Sequence, residues 1–152
     1  MVIVDANVLL YAVDSASAHH ERSRLWLDAT LAGTEAVGLA WIALLAFIRI
    51  GTSTSILPTP LTADEATSQV ETWLAAPAAV IAQPTPRHAS LLRGLLHDTG
   101  TAGNLTTDAH LAVLALEHGA DIVSYDRDFA RFGGLQHRLP GSQEETRAGP
   151  IR

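Results

Sequence analysis

The chain contains no cysteine and no lysine. Without cysteine it has neither disulfides nor thiolate metal ligands, so any metal must be held by oxygen or histidine, and a cytosolic setting is expected. Without lysine, all ten basic residues are arginine, and lysine chemistry is excluded. Positive charge is scarce as well: the formal net charge is −6. That balance counts against a broad basic face for nucleic acid, whose affinity comes mostly from neutralised phosphates. Contact with nucleic acid must then be local, metal-mediated or completed by a partner. No apolar run is long enough for a membrane span, because Asp5 interrupts the only candidate, and the basic segment and apolar core of a signal peptide are missing. There is no internal repeat.

What is present is enough apolar material, 47% of 152 residues, for one compact domain. Val2 to Val4 forms a continuous apolar run, the mark of a short strand covered on both faces. A short helix is predicted from about Ala6 to Val13 and a longer one from Ser17, as cap, to Leu31. A strand at Ala36 to Leu39 precedes the helix Trp41 to Ile50, which is apolar nearly all round and so reads as buried. A loop from Gly51 to Thr62 ends in a capping box, Thr62 with Glu65, that opens a helix stopped by Pro77. Val80-Ile81 suits a minor strand, and a helix runs from Pro86 to about Asp98. The last helix, LTTDAHLAVLALEHG, has Thr106 or Thr107 near its cap and Gly119 just past its end. A buried strand, DIVSYD, and a turn at DRDFARF follow, then a tail from Gly141 expected to be disordered.

Strands alternating with helices predict a parallel sheet covered on both faces, with its ligand site beyond the carboxyl ends of the strands. Val2 to Val4 leads to Asp5 and Ile122-Val123 leads to Asp126, so two apolar strands deliver carboxylates to one edge. Asp108 lies in the first turn of the helix before the second of these strands, where the helix dipole favours its ionised form, and Asp128 adds a fourth. Carboxylates gathered in this way repel unless a cation joins them, and an all-oxygen cluster suits Mg²⁺ or Mn²⁺. Three of the four have a plainer role to set beside that one: Asp5 as a helix cap, Asp126 as a turn former, Asp128 as a cap of the DFARF turn. The seven histidines show no metal-ligand spacing and read as surface or half-buried, His110 pointing away from Asp108.

The segments DANVLLYA, TTDAHLAVLALEHGADIVSYDRDF and the roughly 100 residues between them resemble a PIN domain, and more narrowly a VapC ribonuclease toxin, over about Met1 to Pro140. The resemblance implies a three-layer α/β/α fold with a central, mainly parallel sheet, in a single domain over residues 1–140. It implies a Mg²⁺-dependent endoribonuclease that cuts phosphodiester bonds of cellular RNA, leaves 5′-phosphate ends and is neutralised by a VapB antitoxin. Asp5 and Asp108 match the family's principal metal ligands, Asp126 matches another acidic position, and Asp128 is an outer member. Asn7, Arg49 and Thr107 support the site or substrate; for Asn7 and Thr107 a local cap is the plainer alternative, and for Arg49 a rim arginine paired to an acid. Ala46 stands where many members carry Glu, which favours one well-held metal. A homodimer is also implied, with an antitoxin arginine set among Asp5, Asp108 and Asp126 in place of the metal.

Two rival readings follow from the same residues. A phosphatase or receiver domain also ends a strand in Asp, but such proteins use a lysine that this chain lacks. A catalytically impaired PIN-like module that binds RNA or protein is the other, favoured by Ala46 and by the acidic charge. The apolar stretches WIALLAFIRI and ETWLAAPAAVIA exceed what a small sheet covers, so an exposed remainder is expected to serve as an interface.

Overall fold

A computed structural model describes residues 1–100 and 102–142. Five strands, β1 (Val2–Val4), β2 (Val37–Leu39), β3 (Ala79–Ile81), β4 (Asp121–Val123) and β5 (His137–Arg138), form one sheet in the order β3-β2-β1-β4-β5. Every pairing is parallel. Six helices connect and cover it: α1 (Ala6–Val13), α2 (His20–Leu31), α3 (Trp41–Gly51), α4 (Ala63–Leu74), α5 (His88–Thr99) and α6 (Thr106–His118). Helix α1 packs on both α2 and α3, α3 packs on α4, and α5 packs with α6, which also meets β1 and β4. This is a three-layer α/β/α fold.

The sheet is short because only three residues per strand are needed to span a core this small. Those of β1 are wholly buried, as are Ile122 and Val123 of β4; each such side chain contributes about 1.5–3 kcal/mol when removed from water. Gly38 in β2 lets the central strands close up: a Cβ there would collide with the Ile3 side chain and lie 2.9 Å from Met1 Cε. Phe47 and Trp73 tie α3 to α4 with ring centroids 4.8 Å apart, and Gly119, at φ 58°, ends α6 in the left-handed turn that glycine adopts freely.

Several local expectations are corrected. Helix α2 begins at His20, and Ser17 instead accepts a hydrogen bond from the His19 backbone N–H at 3.1 Å, closing a turn before the helix. Neither Thr106 nor Thr107 caps α6, whose capping position is Leu105 without a side-chain bond, because a 3₁₀ turn at Gly103–Leu105 leads straight into it. Helix α3 is not buried all round: Phe47 is wholly buried, but Trp41 is 45% and Leu45 58% exposed, since α3 covers the core with one face only. Strand β5 went unforeseen, being two residues without apolar character. The Thr62–Glu65 capping box is present in full. Of the disordered tail expected from Gly141, the first two residues are described, the Ser142 N–H donating to the Leu139 carbonyl at 3.1 Å, and residues 143–152 lie outside the described residues. Among the described residues no helix is long and apolar enough to cross a membrane.

Candidate active site

The strand order places a crossover beside β1: the chain moves outward through β2 and β3, then returns to lay β4 on the other side. Ligand sites of parallel sheets lie at such switch points, beyond the carboxyl ends of the strands. Val4 pairs with Val123, so Asp5 and Ser124 are the first residues past that edge, and the Asp5 backbone N–H still donates to the Val123 carbonyl at 3.1 Å. Helix α6 ends just before β4 begins and runs antiparallel to it. Its first turn, with Asp108, therefore returns to the same edge.

Asp5 is only 8% exposed, and three donors fix its carboxylate. Oδ1 accepts from the Ala6 N–H at 2.7 Å, while Oδ2 accepts from Asn7 Nδ2 at 2.8 Å and from Ser124 Oγ at 2.6 Å. The Ala6 bond makes Asp5 the cap of α1, the plainer role, and leaves its other oxygen to Asn7 and Ser124. Asn7 joins the two strand ends, donating also to Ser124 Oγ at 3.0 Å and accepting from the Tyr125 N–H at 3.2 Å. Ser124 Oγ in turn accepts from the Asp126 N–H at 2.9 Å, and Asp126 Oδ1 accepts from the Asp128 N–H at 2.8 Å. His137 on β5 holds the Ser124 carbonyl through Nε2 at 2.9 Å.

The charges are set against one another. Burial, opposed by the Ser124 and Ala6 bonds and reinforced by the Asp126 charge, raises the Asp5 carboxyl above the usual range. Asp108 is pushed up to about 6, first by burial and then by the charges of Asp5, Asp126 and Asp128. The charges of Asp5, Asp126 and Asp128 thus all act on Asp108. Among the described residues, however, no group of three or more acidic or histidine side chains is arranged to hold a metal ion by itself. Uncompensated carboxylates repel, and Asp108 relieves that repulsion by holding its proton more tightly.

The remaining expected residues are more peripheral. Asp128 is half exposed and faces Arg131 at 3.9 Å. Thr107 is exposed. Arg49 is exposed in the last turn of α3 and forms no ion pair among the described residues, so the paired rim arginine is not what is found. Ala46 lies one turn earlier, partly buried. Ser124 carried no role in the sequence, although it stands in the DIVSYD segment; its hydroxyl touches Asp5, Asn7 and Asp126. His137 carried no local signal. The histidines are also less scattered than they read: His88 Nδ1 meets Glu117 at 2.7 Å and His88 Nε2 meets His110 Nδ1 at 2.8 Å, pinning α5 to α6.

Comparison with known proteins gives this geometry its relatives. Residues 2–135 match the PIN domain family. Ribonuclease VapC37 of Mycobacterium tuberculosis is 54% identical over 140 residues, covering 92% of this chain and 97% of that protein. Ribonuclease VapC33 of the same species is 42% identical, covering 92% and 98%. Among solved structures, VapBC2 from Rickettsia felis bound to a DNA fragment from its promoter superposes with a TM-score of 0.67 at 20% identity, covering 91% of this chain and 98% of that one. FitAcB from Neisseria gonorrhoeae gives 0.64 at 21% identity, covering 92% and 98%. An acidic switch point on an all-parallel sheet, matched over nearly its whole length by named ribonucleases, places this chain in the PIN domain family, among the VapC ribonucleases.

Proposed function

We propose that the chain is a VapC-type toxin, a metal-dependent endoribonuclease that hydrolyses phosphodiester bonds of cellular RNA. The observation that supports this most is the delivery of Asp5 and Ser124-Asp126 to one edge by neighbouring parallel strands, with Asp108 returned there by α6 and raised by burial and by their charge. A VapB-type antitoxin is the expected inhibitor, and its arginine would find the same carboxylates. A homodimer is the expected assembly.

The donor set fits a hard divalent ion. All the candidate ligands are carboxylate oxygens, and Mg²⁺ keeps several waters while taking one or two carboxylates, so a closed three-ligand cage is not required. Asp5, Asp108 and Asp126 would hold Mg²⁺ or Mn²⁺, with Asp128 as an outer member. When bound, the ion activates a water for attack on phosphorus and neutralises charge on the phosphate. Asn7 and Ser124 keep the Asp5 carboxylate aimed at the site, as hydrogen-bonded outer residues do in metal centres generally. Arg49, without an ion pair among the described residues, offers its guanidinium to an RNA phosphate, and Thr107 offers a hydroxyl at the start of α6.

The test is cleavage of total cellular RNA by the purified chain with Mg²⁺ or Mn²⁺, against EDTA and against Asp5→Ala. Metal-dependent cuts with 5′-phosphate and 3′-hydroxyl ends, lost in the variant, are expected. A folded, antitoxin-free chain that binds RNA without cutting it under either metal would replace this reading with the binding module.

A further inference from the structure

Three aromatic rings stand where the acidic site ends. Tyr11 lies four residues after Asn7 on α1, one turn along the same face, and Tyr125 lies between Ser124 and Asp126. Their ring centroids are 5.4 Å apart at an edge-on 66°. His19, from the loop before α2, stacks on Tyr125 with centroids 4.2 Å apart and planes 25° from parallel, and lies 5.3 Å from Tyr11.

Core packing accounts for only part of this cluster, since of the three rings it is Tyr125 that packs against the core. His19 is exposed, and neither tyrosine is fully buried. Tyr125 stacks on one face of the imidazole and Tyr11 lies tilted beside it, yet His19 as a whole stays exposed. The cluster is also held in place. Tyr125 Oη shares a hydrogen bond of 3.0 Å with the wholly buried Ser23 Oγ, and the Ser23 N–H donates to the His19 carbonyl at 3.0 Å. The His20 ring donates to the Tyr11 carbonyl at 2.9 Å, and the Tyr125 N–H is tied to Asn7. An exposed, anchored aromatic ring beside a candidate phosphodiester-cutting centre is what an unpaired nucleobase stacks on, and such stacking tolerates any base because every base has a π-face.

We propose that His19, Tyr125 and Tyr11 form a stacking platform for an unpaired nucleobase of single-stranded RNA, next to the phosphate that is cut. The proposal rests on the ribonuclease reading above and adds to it the residues that hold a base beside the site. It also supplies binding that an acidic chain cannot draw from a basic face.

The test measures binding of a fluorescent single-stranded RNA by anisotropy, with Ca²⁺ in place of Mg²⁺, for the unsubstituted chain, His19→Ala and His19→Phe. His19→Ala should weaken binding by about 5- to 100-fold, the range for loss of one stacked base. His19→Phe should restore most of it, which a loop-holding role of the imidazole nitrogens would not. An abasic nucleotide walked along the RNA should, at one position, abolish the difference between the unsubstituted chain and His19→Ala. Equal binding by the chain and His19→Ala, or His19→Phe as weak as His19→Ala, overturns the platform. The two readings fail separately: cleavage with no His19 effect removes the platform alone, and a His19 effect in a chain that cuts nothing removes the nuclease alone.

Discussion

Ser124 Oγ donates a hydrogen bond of 2.6 Å to Asp5 Oδ2 across 119 positions of sequence. The same oxygen accepts from the Asp126 N–H at 2.9 Å, so one buried hydroxyl sets the angle of one carboxylate and the backbone of the next. Ser124→Ala is expected to lower cleavage about 10- to 100-fold, the usual cost of losing an outer partner of a metal ligand. It should also cost about 1–3 kcal/mol of stability, because the Asp126 N–H and an Asp5 lone pair lose their partner. Steady-state cleavage and urea titration check the two effects; a variant cutting at full rate would show that the Asp5 orientation does not matter.

Asp108 gives the apo protein a pH signature. Its carboxyl is raised from 3.8 to about 6, by burial first and by Asp5, Asp126 and Asp128 next. The folded chain therefore keeps a proton that the unfolded chain has released. Stability from this group is intact below about pH 4 and is lost as pH rises through about 6. In EDTA, Asp108→Asn should raise the Tm at pH 7.5 and leave it nearly unchanged at pH 3.5. Thermal scans at both values check this, and an equal shift at both would mean that packing rather than charge is responsible.

Arg49 should act through phosphate. Arg49→Ala is expected to weaken RNA binding and to reduce the slope of log affinity against log salt by about 0.7–1, the value of one phosphate contact. Binding measured from low to moderate salt checks it. An unchanged slope with weakened antitoxin binding would assign Arg49 to the protein partner.

Gly38 tests the close approach of β1 and β2. A methyl group there would collide with Ile3 and lie 3.2 Å from the Val2 carbonyl oxygen, with Met1 Cε at 2.9 Å. Replacing glycine within a strand recovers about 0.5–1 kcal/mol of chain entropy, but overpacking a tight core costs about 1–3 kcal/mol. Gly38→Ala should therefore be destabilising on balance, with a lower urea midpoint at unchanged m-value.

The division between sequence and tertiary structure runs through particular residues. Continuous apolarity marked β1 and β4 as covered strands, and Asp5 and Asp126 beyond them stood out as candidates because a carboxylate at the edge of a buried strand is costly without a partner. The Thr62–Glu65 cap and Gly119 were legible because capping is local chemistry. Strand β5 was not, since two polar residues pair with β4 only once β4 lies in place. Which face of α3 would be left open was equally hidden, because nearly all its faces are apolar and only packing against α1 and α4 chooses among them. Composition was sufficient to exclude thiolate ligands and lysine from the site. Folding was needed before Ser124 could bind Asp5, Asp108 could feel the Asp5 charge, or His19 could stack on Tyr125. Each of these pairs is more than a hundred positions apart, and only the parallel pairing of β1 with β4 brings its members together.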